Sequence, residues 1–272
     1  MTRIAVVGGG RIGEALVAGL LESGRATKDL VVVEPVAARA AQLAERFKVR
    51  VSGSVVEAVV GADIVVVAVK PGDVDSVLTD LSKADLDTGS EQVLVSLAAG
   101  VTTARLESKL PAGFPVVRVM SNTPMLVGQG MSVLAPGRYA DAEQLELVGE
   151  MLEAVGKVVT VAESQMDAVT AVSGSGPAYF FLVVEAMIDA GVSLGLARDV
   201  ATQLVVQTMI GSAALLDETG QNAVDLRAAV TSPAGTTAAA LRVLERGALR
   251  STFIEALHAS KQRSAEQGAS NE

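Results

Sequence analysis

The chain has 272 residues, half of them apolar and only 3% aromatic, and a formal net charge of -9 at pH 7. It has no cysteine and one histidine, which excludes disulfides, thiol catalysis and cysteine-ligated metals and leaves little for a histidine-based metal site or a Ser-His-Asp triad. The acidic balance argues against a nucleic-acid partner, which needs clustered lysine and arginine. We therefore expect one large domain or two ordinary ones, with an aliphatic core and no metal.

The N-terminal sequence MTRIAVVGGG indicates a strand followed by a glycine turn rather than a targeting segment. The longest uninterrupted apolar runs, at 64–69 and 179–184, are far shorter than a membrane span. Together these features predict a soluble, cytoplasmic protein with no membrane partner.

Short runs rich in valine and isoleucine alternate with helical patterns over the first 162 residues. The runs lie at 3–8, 29–34, 49–51, 63–69, 91–97, 115–120, 130–135 and 157–162. Runs without polar alternation indicate strands that are buried on both faces. Between two of them, four apolar residues from Val74 to Leu81 fall on one face of a predicted helix. Alternating strands and helices predict a parallel, doubly wound α/β sheet.

A G-x-G-x-x-G pattern in VVGGGRIGEA directly follows the first predicted strand and opens a predicted helix. Gly8 permits the tight turn, Gly10 lets the backbone approach a pyrophosphate, and Gly13 lets helix and strand pack closely. The N-terminus of the helix, with Arg11 and Ile12, faces the negative charge of the phosphates. The pattern therefore predicts a Rossmann-type dinucleotide site.

Glu34 ends the second predicted strand, 21 positions after Gly13. A carboxylate at this position holds the ribose hydroxyls of a dinucleotide. It also repels a 2′-phosphate, which favours NADH. The nearby Arg39 either offsets this repulsion and permits some use of NADPH, or is an ordinary solvated helix residue. We predict NADH or NADPH as the cofactor and leave the preference open.

Three more segments follow the ends of the fourth, fifth and sixth strands, where ligands bind in open α/β sheets. They are VAVKPG, SLAAGV, whose small residues allow close approach to a nicotinamide, and RVMSNTP. The first and the third also have a structural interpretation, because Pro71 suits the start of a helix and Asn122 suits a turn. From these segments we add to the cofactor site Ala68, Val69, Lys70, Pro71, Ala98, Ala99 and Asn122.

From residue 163 onward the sequence contains only helical patterns. A glycine–serine turn in SGSGP separates two of them, and the second begins at Pro177. The stretches PAYFFLVVEAMI and QLVVQTMIGSAALL are apolar nearly all round, which a helix tolerates only when it is wholly buried. Cover from a second subunit is therefore predicted, as an intimate homodimer, and the polar tail SAEQGASNE is expected to fray.

These patterns divide the chain into two predicted domains. A dinucleotide-binding Rossmann domain occupies 1–162, and an all-α dimerisation and substrate domain occupies 163–272. The predicted fold class is an α/β Rossmann-type doubly wound sheet followed by an all-α C-terminal dimerisation domain.

Four hydroxyl side chains surround a proline and a glycine in VTSPAGTT at 230–237, just before a helical pattern that begins near Ala238. Ser232, Thr236 and Thr237 are all suited to cap that helix, yet one hydroxyl is enough for a cap. The others, with the N–H groups of the helix start, suit a substrate carboxylate. The residues alone leave both interpretations open.

Together the motifs resemble the pyrroline-5-carboxylate reductase family over nearly the whole chain. The blocks that carry the resemblance are, in order, VVGGGRIGEA, VKP, SLAAGV, RVMSNTP, SGSGPAY and DLRAAVTSPAGTTAAAL. The resemblance implies an oxidoreductase that reduces the C=N bond of 1-pyrroline-5-carboxylate to L-proline, the last step of proline biosynthesis. Hydride passes from the nicotinamide of NADH or NADPH to the imine carbon. It also implies a homodimer with interlocking helical domains that assembles further into a decamer.

By the same resemblance, the substrate carboxylate and ring are expected to bind at Ser232, Gly235, Thr236 and Thr237. Glu163 matches a position whose carboxylate lies near the ring nitrogen, and the proton donor is left open between Thr237, Glu163 and water. A protonated iminium is already electrophilic, so the protein needs only to align donor and acceptor. The chain departs from its relatives at Ala234, where they usually have glycine, and at Val55, where they commonly have an asparagine that touches the ribose.

Two rival functions make different demands on the sequence. A β-hydroxyacid dehydrogenase shares the N-terminal architecture but places a catalytic lysine early in its second domain, and no lysine occurs here between Lys157 and Lys261. A non-catalytic dinucleotide sensor needs the Rossmann half but not the hydroxyl-rich loop. Replacement of Thr237 separates a sensor from a reductase.

Overall fold

The computed structural model of the chain describes residues 2–84, 86 and 92–270. The chain divides by packing into two compact units, residues 1–175 with 260–272, and residues 176–259. This division by packing differs from the predicted functional boundary after residue 162, which stays a prediction.

The first unit is built on an eight-stranded sheet, and the strands lie where the sequence predicted them. They are β1 (Ile4–Val7), β2 (Leu30–Val33), β3 (Arg50–Ser52), β4 (Ile64–Val67), β5 (Val93–Ser96), β6 (Val116–Met120), β7 (Gly130–Pro136) and β8 (Gly156–Thr160). The predicted start of the fifth strand at residue 91 lies outside the described residues. The strand order is β3-β2-β1-β4-β5-β6-β7-β8, which confirms the doubly wound arrangement.

The sheet is parallel through β6, but β7 runs antiparallel to β6 and β8 runs parallel to β7. The prediction of a parallel sheet is therefore wrong for the last two strands. The connection between β6 and β7 contains only a short 3-10 turn at Thr123–Val127. A parallel return needs a crossover of about a dozen residues or more, so the chain turns back directly.

Helices cover both faces of the sheet. They are α1 (Arg11–Glu22), α2 (Ala37–Phe47), α3 (Val55–Val59), α4 (Val74–Leu81), α5 (Thr103–Ser108), α6 (Ala142–Glu153), α7 (Met166–Val169) and the last turns of α12 (Leu249–Ser270).

Two separate apolar cores lie on the two faces. Along β1, Ile4 and Val6 point into one core, under α1 and α6, while Ala5 and Val7 point into the other, under α3 and α4. Side chains of a strand alternate between faces, so both faces are buried. The uninterrupted valine and isoleucine runs predicted this burial.

The SGSGP segment is helical, so the predicted turn is wrong. α7 continues into a π-helical turn at Thr170–Gly174, where the Ser175 N–H donates to the Thr170 carbonyl over 2.8 Å. The next helix begins at Gly176, ahead of Pro177. A proline in the first helical turn costs no intrahelical hydrogen bond. The glycine–serine segment thus forms a π-helical turn, which is wider than an α-helical turn, and does not interrupt the helix.

The second unit is helical, as predicted. Its elements are α8 (Gly176–Ser193), α9 (Arg198–Thr219), α10 (Ala223–Ala229), α11 (Thr236–Arg246) and the first part of α12. Large apolar side chains on α8 and α9 are exposed in the single chain, among them Phe180, Phe181, Leu182, Leu204 and Ile210. An apolar surface of this extent marks a face that is covered from outside the chain.

By length and mean hydropathy, the helical runs Glu163–Ser193 and Arg198–Thr219 are both sufficient to cross a membrane. The uninterrupted apolar runs within them are much shorter, which is why the sequence did not predict a spanning helix. Length and composition alone do not separate a membrane helix from a helix that packs against other protein.

Candidate active site

The glycine loop and the end of β4 lie side by side, where the strand order reverses between β1 and β4. The Ala68 N–H donates to the Val7 carbonyl at 2.8 Å. Gly8 has a φ of +114°, and a Cβ there would lie 2.6 Å from the Ala68 carbonyl oxygen and 3.0 Å from a methyl of Val69. Only glycine fits this approach. The predicted residues Gly8, Ala68 and Val69 are thus brought together at the crevice that binds ligands in such sheets.

The other two glycines of the motif differ in their surroundings. A Cβ at Gly13 would collide with the Gly8 carbonyl oxygen, whereas one at Gly10 would meet nothing within 4 Å. Gly13 therefore permits helix–strand packing, and Gly10 presents open backbone. Gly10 is the N-cap of α1 and supplies no side-chain cap, so the N–H groups of Arg11 and Ile12 point outward without intrahelical acceptors. This arrangement suits a pyrophosphate.

Glu34 lies directly beside the glycine loop. A Cβ at Gly9 would be 2.8 Å from Glu34 Oε2, and the Val36 N–H donates to Glu34 Oε1 at 2.9 Å. One carboxylate oxygen is therefore positioned by the backbone, and the other faces the loop. The neighbouring Val55 is buried in the core on its side of the sheet, so its side chain contributes packing and no polar contact to a ribose.

Residues after β4 and β5 complete the same edge of the sheet. Lys70 is exposed, and within the described part of the chain its side chain makes no hydrogen bond or ion pair. Pro71 starts a 3-10 turn, as its structural interpretation predicted. Ala98 is buried, with its N–H directed at Ser96 Oγ at 3.4 Å, while Ala99 is exposed.

Asn122 has a structural role in the folded chain. Its Nδ2 donates to the Ser173 carbonyl at 3.0 Å, and its Oδ1 accepts from the Met131 N–H at 2.9 Å. The side chain therefore joins the end of β6 to β7 and to the π-helical turn. Its assignment to the cofactor site stays a prediction.

Glu163 is bound by Arg118, a residue that was not predicted to belong to the site. Arg118 Nη1 donates to Glu163 Oε1 at 2.7 Å, and the Thr103 N–H points at the same oxygen at 3.4 Å. Arg118 is 5% exposed. Glu163 Oε2 is buried and has no hydrogen-bond partner among the described residues. An arginine inside the otherwise apolar run PVVRVM was the signal available in the sequence.

A cavity of about 240 Å³ lies beside this ion pair. Its lining comprises Gly100, Thr102, Arg118, Glu163, Asp167, Ala265, Gly268 and Ala269. The last three belong to α12, which is helical through Ser270, so the expected fraying of the tail is wrong for residues 264–270. Ser264 is buried and donates to Asp167 Oδ1 at 2.7 Å. Residues 271–272 lie outside the described residues.

The hydroxyl-rich loop lies between α10 and α11 in the second unit. α11 begins at Thr236, two residues earlier than predicted, and its N-cap is Gly235, without a side-chain cap. The interpretation that one of these hydroxyls caps the helix is therefore wrong. Thr231 donates its hydroxyl to the Arg227 carbonyl at 2.6 Å.

Three hydroxyls of this loop remain available. Within the described residues, no intrachain hydrogen bond involves the hydroxyls of Ser232, Thr236 or Thr237. Ser232 Oγ packs so close to Gly235 that a Cβ there would collide with it. Ala234 has a φ of +56°, a left-handed conformation that turns the chain into the helix. The loop thus gathers unpartnered hydroxyls at an uncapped helix start, which suits an anion.

No group of three or more metal-ligating side chains occurs in the part of the chain that the structure describes.

Two family models match the chain. The model described as pyrroline-5-carboxylate reductase dimerisation matches residues 163–267. The model described as NADP oxidoreductase, coenzyme F420-dependent, matches residues 3–100.

Relatives match at nearly full length. A pyrroline-5-carboxylate reductase from Mycobacterium leprae is 57% identical, over 97% of this chain and 96% of that protein. The solved structure of a pyrroline-5-carboxylate reductase from Coxiella burnetii has a TM-score of 0.94 at 37% identity and covers 98% of both chains. The crystal structure of Plasmodium falciparum pyrroline carboxylate reductase with NADP bound has a TM-score of 0.85 at 30% identity, again over 98% of both chains.

Proposed function

Because this chain belongs to the pyrroline-5-carboxylate reductase family, we propose how its own residues perform the reaction of that family. The enzyme is an oxidoreductase that reduces 1-pyrroline-5-carboxylate to L-proline. A proton on the ring nitrogen first converts the imine into an iminium; the hydride then adds to the imine carbon, and the C=N π electrons become the nitrogen lone pair of the secondary amine. Particular residues must therefore hold the cofactor, hold the substrate and supply the proton.

The glycine loop and its neighbours are proposed to hold a nicotinamide dinucleotide. The pyrophosphate fits the open backbone at Gly10 and the free N–H groups of Arg11 and Ile12, with the positive end of the α1 dipole behind them. The ribose of the adenosine fits beside Glu34. The nicotinamide, which supplies the hydride when bound, is assigned to the segment that contains Ala98 and Ala99. The remaining predicted cofactor contacts are Gly8, Gly13, Ala68, Val69, Lys70, Pro71 and Asn122.

NADH and NADPH are both retained as cofactors, with Glu34 favouring NADH. A carboxylate beside the ribose repels the two negative charges of a 2′-phosphate. The relative from Plasmodium falciparum was crystallised with NADP, and the family model over residues 3–100 carries NADP in its description. These likenesses support use of the phosphorylated cofactor as well, and Arg39 is the nearby cation that would assist it.

The hydroxyl-rich loop is proposed to bind the substrate. The observation that carries this assignment is the set of unpartnered hydroxyls on Ser232, Thr236 and Thr237 at a helix start without a side-chain cap. The N–H groups of that helix start and of Gly235 add further donors. These neutral donors can bind the substrate carboxylate without a buried cation. The site therefore does not need a positive net charge on the protein, which is acidic.

Thr237 or a water that it orients is proposed to supply the proton to the ring nitrogen. Glu163 has one oxygen occupied by Arg118 and Thr103, while Oε2 remains an unused acceptor. Glu163 is therefore kept as a candidate to accept a hydrogen bond from the ring N–H. Neither role requires a metal, because an iminium is already electrophilic.

A homodimer is proposed as the working unit, with further assembly to a decamer. The match to a dimerisation family model over residues 163–267 and the exposed apolar side chains of α8 and α9 support association through the helical half. The functional boundary after residue 162 is retained on the same ground, and the protein is proposed to act in the cytoplasm. Sedimentation velocity of the purified chain tests the assembly; a monomer at all concentrations would reject it.

The activity is tested by oxidation of NADH and then of NADPH, with racemic pyrroline-5-carboxylate and the purified full chain. We expect consumption of reduced cofactor matched by formation of L-proline, identified by chiral chromatography. Boiled enzyme and reactions without substrate are the controls. Folded, associated protein that consumes neither cofactor would contradict the proposed activity.

A further inference from the structure

Glu14 on α1 binds two arginines of α2 at once. Arg39 Nη2 donates to one carboxylate oxygen of Glu14 and Arg46 Nη1 donates to the other. The Glu14 side chain is 20% exposed and that of Arg39 is 31% exposed, so both charges are partly shielded from water. Arg39 drew attention in the sequence through its position after Glu34, whereas Glu14 had no predicted role.

The guanidinium of Arg39 uses three of its five N–H donors within the chain. Its Nε donates to the Gly9 carbonyl at 3.0 Å, its Nη2 donates to Glu14, and its Nη1 lies 3.5 Å from Gln42 Oε1. Gly9 also adjoins the Glu34 carboxylate, since a Cβ at Gly9 would lie 2.8 Å from Glu34 Oε2. Arg39 therefore sits at the edge of the proposed ribose site, with its Nε and one N–H of each terminal nitrogen directed at the protein.

An arginine near the ribose is the group that accommodates the 2′-phosphate of NADPH. It does so through charge-assisted, often bidentate hydrogen bonds, which need a free fork of N–H groups. The hydrogen bond from Arg39 Nη2 to Glu14 occupies one of the terminal N–H groups that such a fork uses. We propose that Glu14 strengthens the preference for NADH that Glu34 sets, by holding the Arg39 guanidinium away from the 2′-phosphate of NADPH. The inference rests on the proposed dinucleotide site.

Glu14 also acts on any dinucleotide, because its charge lies in the first turn of α1, next to the proposed pyrophosphate position. Removal of that charge improves binding of NADH and NADPH alike. The change in the ratio of the two affinities, and not either affinity alone, therefore reports on Arg39.

The test is direct binding of NADH and NADPH to the full chain without substrate, by calorimetry. In Glu14→Gln we expect the affinity for NADPH to rise relative to NADH by about tenfold, the effect of one additional charge-assisted hydrogen bond. Asp80→Asn is the matched control, since it removes a surface carboxylate that pairs with Lys83 and should leave the ratio unchanged. Thermal unfolding of each variant confirms that it is folded.

A double-mutant cycle separates Arg39 from other effects. Arg39→Ala in the Glu14→Gln background should abolish the increase in NADPH affinity, while Arg39→Ala alone should change the ratio by less than about twofold. An unchanged ratio in Glu14→Gln overturns the inference. So does a fall of about tenfold in the affinity for NADPH relative to NADH in Arg39→Ala alone, because Arg39 would then already bind the 2′-phosphate in the wild type. Failure of the wild type to bind either cofactor would instead reject the proposed dinucleotide site itself.

Discussion

Arg118 and Glu163 form an ion pair at 2.7 Å that joins the middle of β6 to the turn that follows β8. The arginine side chain is 6% exposed and the glutamate side chain is 29% exposed. A charge this deeply buried is stable only while its partner remains, because each ion has lost most of its hydration. Removal of one partner therefore lowers the free energy of unfolding by more than the intact pair contributes to it.

Arg118→Met is expected to lower the free energy of unfolding by about 2–4 kcal/mol, because it leaves the Glu163 carboxylate partly buried without its cation. Urea denaturation of the assembled protein measures the loss. Arg105→Met is the matched control, since Arg105 pairs with the half-exposed Asp75, and it should cost less than about 1 kcal/mol. Equal losses in the two variants would show that the burial of Arg118 has no special weight.

Thr237→Ala is expected to lower kcat/KM. The corresponding rise in activation free energy is about 1–3 kcal/mol, the cost of a lost polar contact to the substrate. Dissociation constants for NADH and NADPH should stay nearly unchanged. Thr231→Ala is the control within the same loop, because its hydroxyl already donates to the Arg227 carbonyl. A non-catalytic cofactor sensor would tolerate both changes, and kinetics unaffected by Thr237→Ala would remove this residue from the site.

Glu34→Ser is expected to shift kcat/KM toward NADPH by roughly tenfold relative to NADH, because the carboxylate that opposes a 2′-phosphate is removed. Steady-state kinetics with each cofactor measures the ratio. Glu45→Ser, which changes an exposed carboxylate on α2, alters the net charge equally and should leave the ratio as it is. If both variants give the wild-type ratio, the Glu34 carboxylate does not face the ribose.

Ala234→Gly is expected to raise the free energy of unfolding by about 0.5–1 kcal/mol. Ala234 has a φ of +56°, where a Cβ clashes with the following carbonyl and costs about 1–2 kcal/mol, partly offset by the greater chain entropy of glycine. The opposite sign is expected for Ala239→Gly within α11, which should destabilise the protein by about 0.5–1 kcal/mol. Thermal and urea unfolding of the two variants decide; a loss of stability in both would mean that Ala234 is not strained.

Much of the fold follows from local patterns. The strands, the glycine turn and Glu34 lie where the sequence predicted them, because strand burial and glycine sterics act over a few neighbouring residues. The direction of the seventh strand and the ends of the C-terminal helices were less predictable. β7 returns antiparallel because its connection is short, SGSGP becomes a π-helical turn, and the tail is helical through Ser270.

The candidate site divides in the same way. Residue type at short spacing was enough to identify the G-x-G-x-x-G turn, the acidic residue after β2 and the cluster of hydroxyls at 230–237. The pairing of Arg118 with Glu163 and of Arg39 with Glu14 became visible in the folded chain alone. Those partners lie 45 and 25 residues apart in the chain. Which charges meet across such separations depends on how the elements pack, and no local periodicity encodes it.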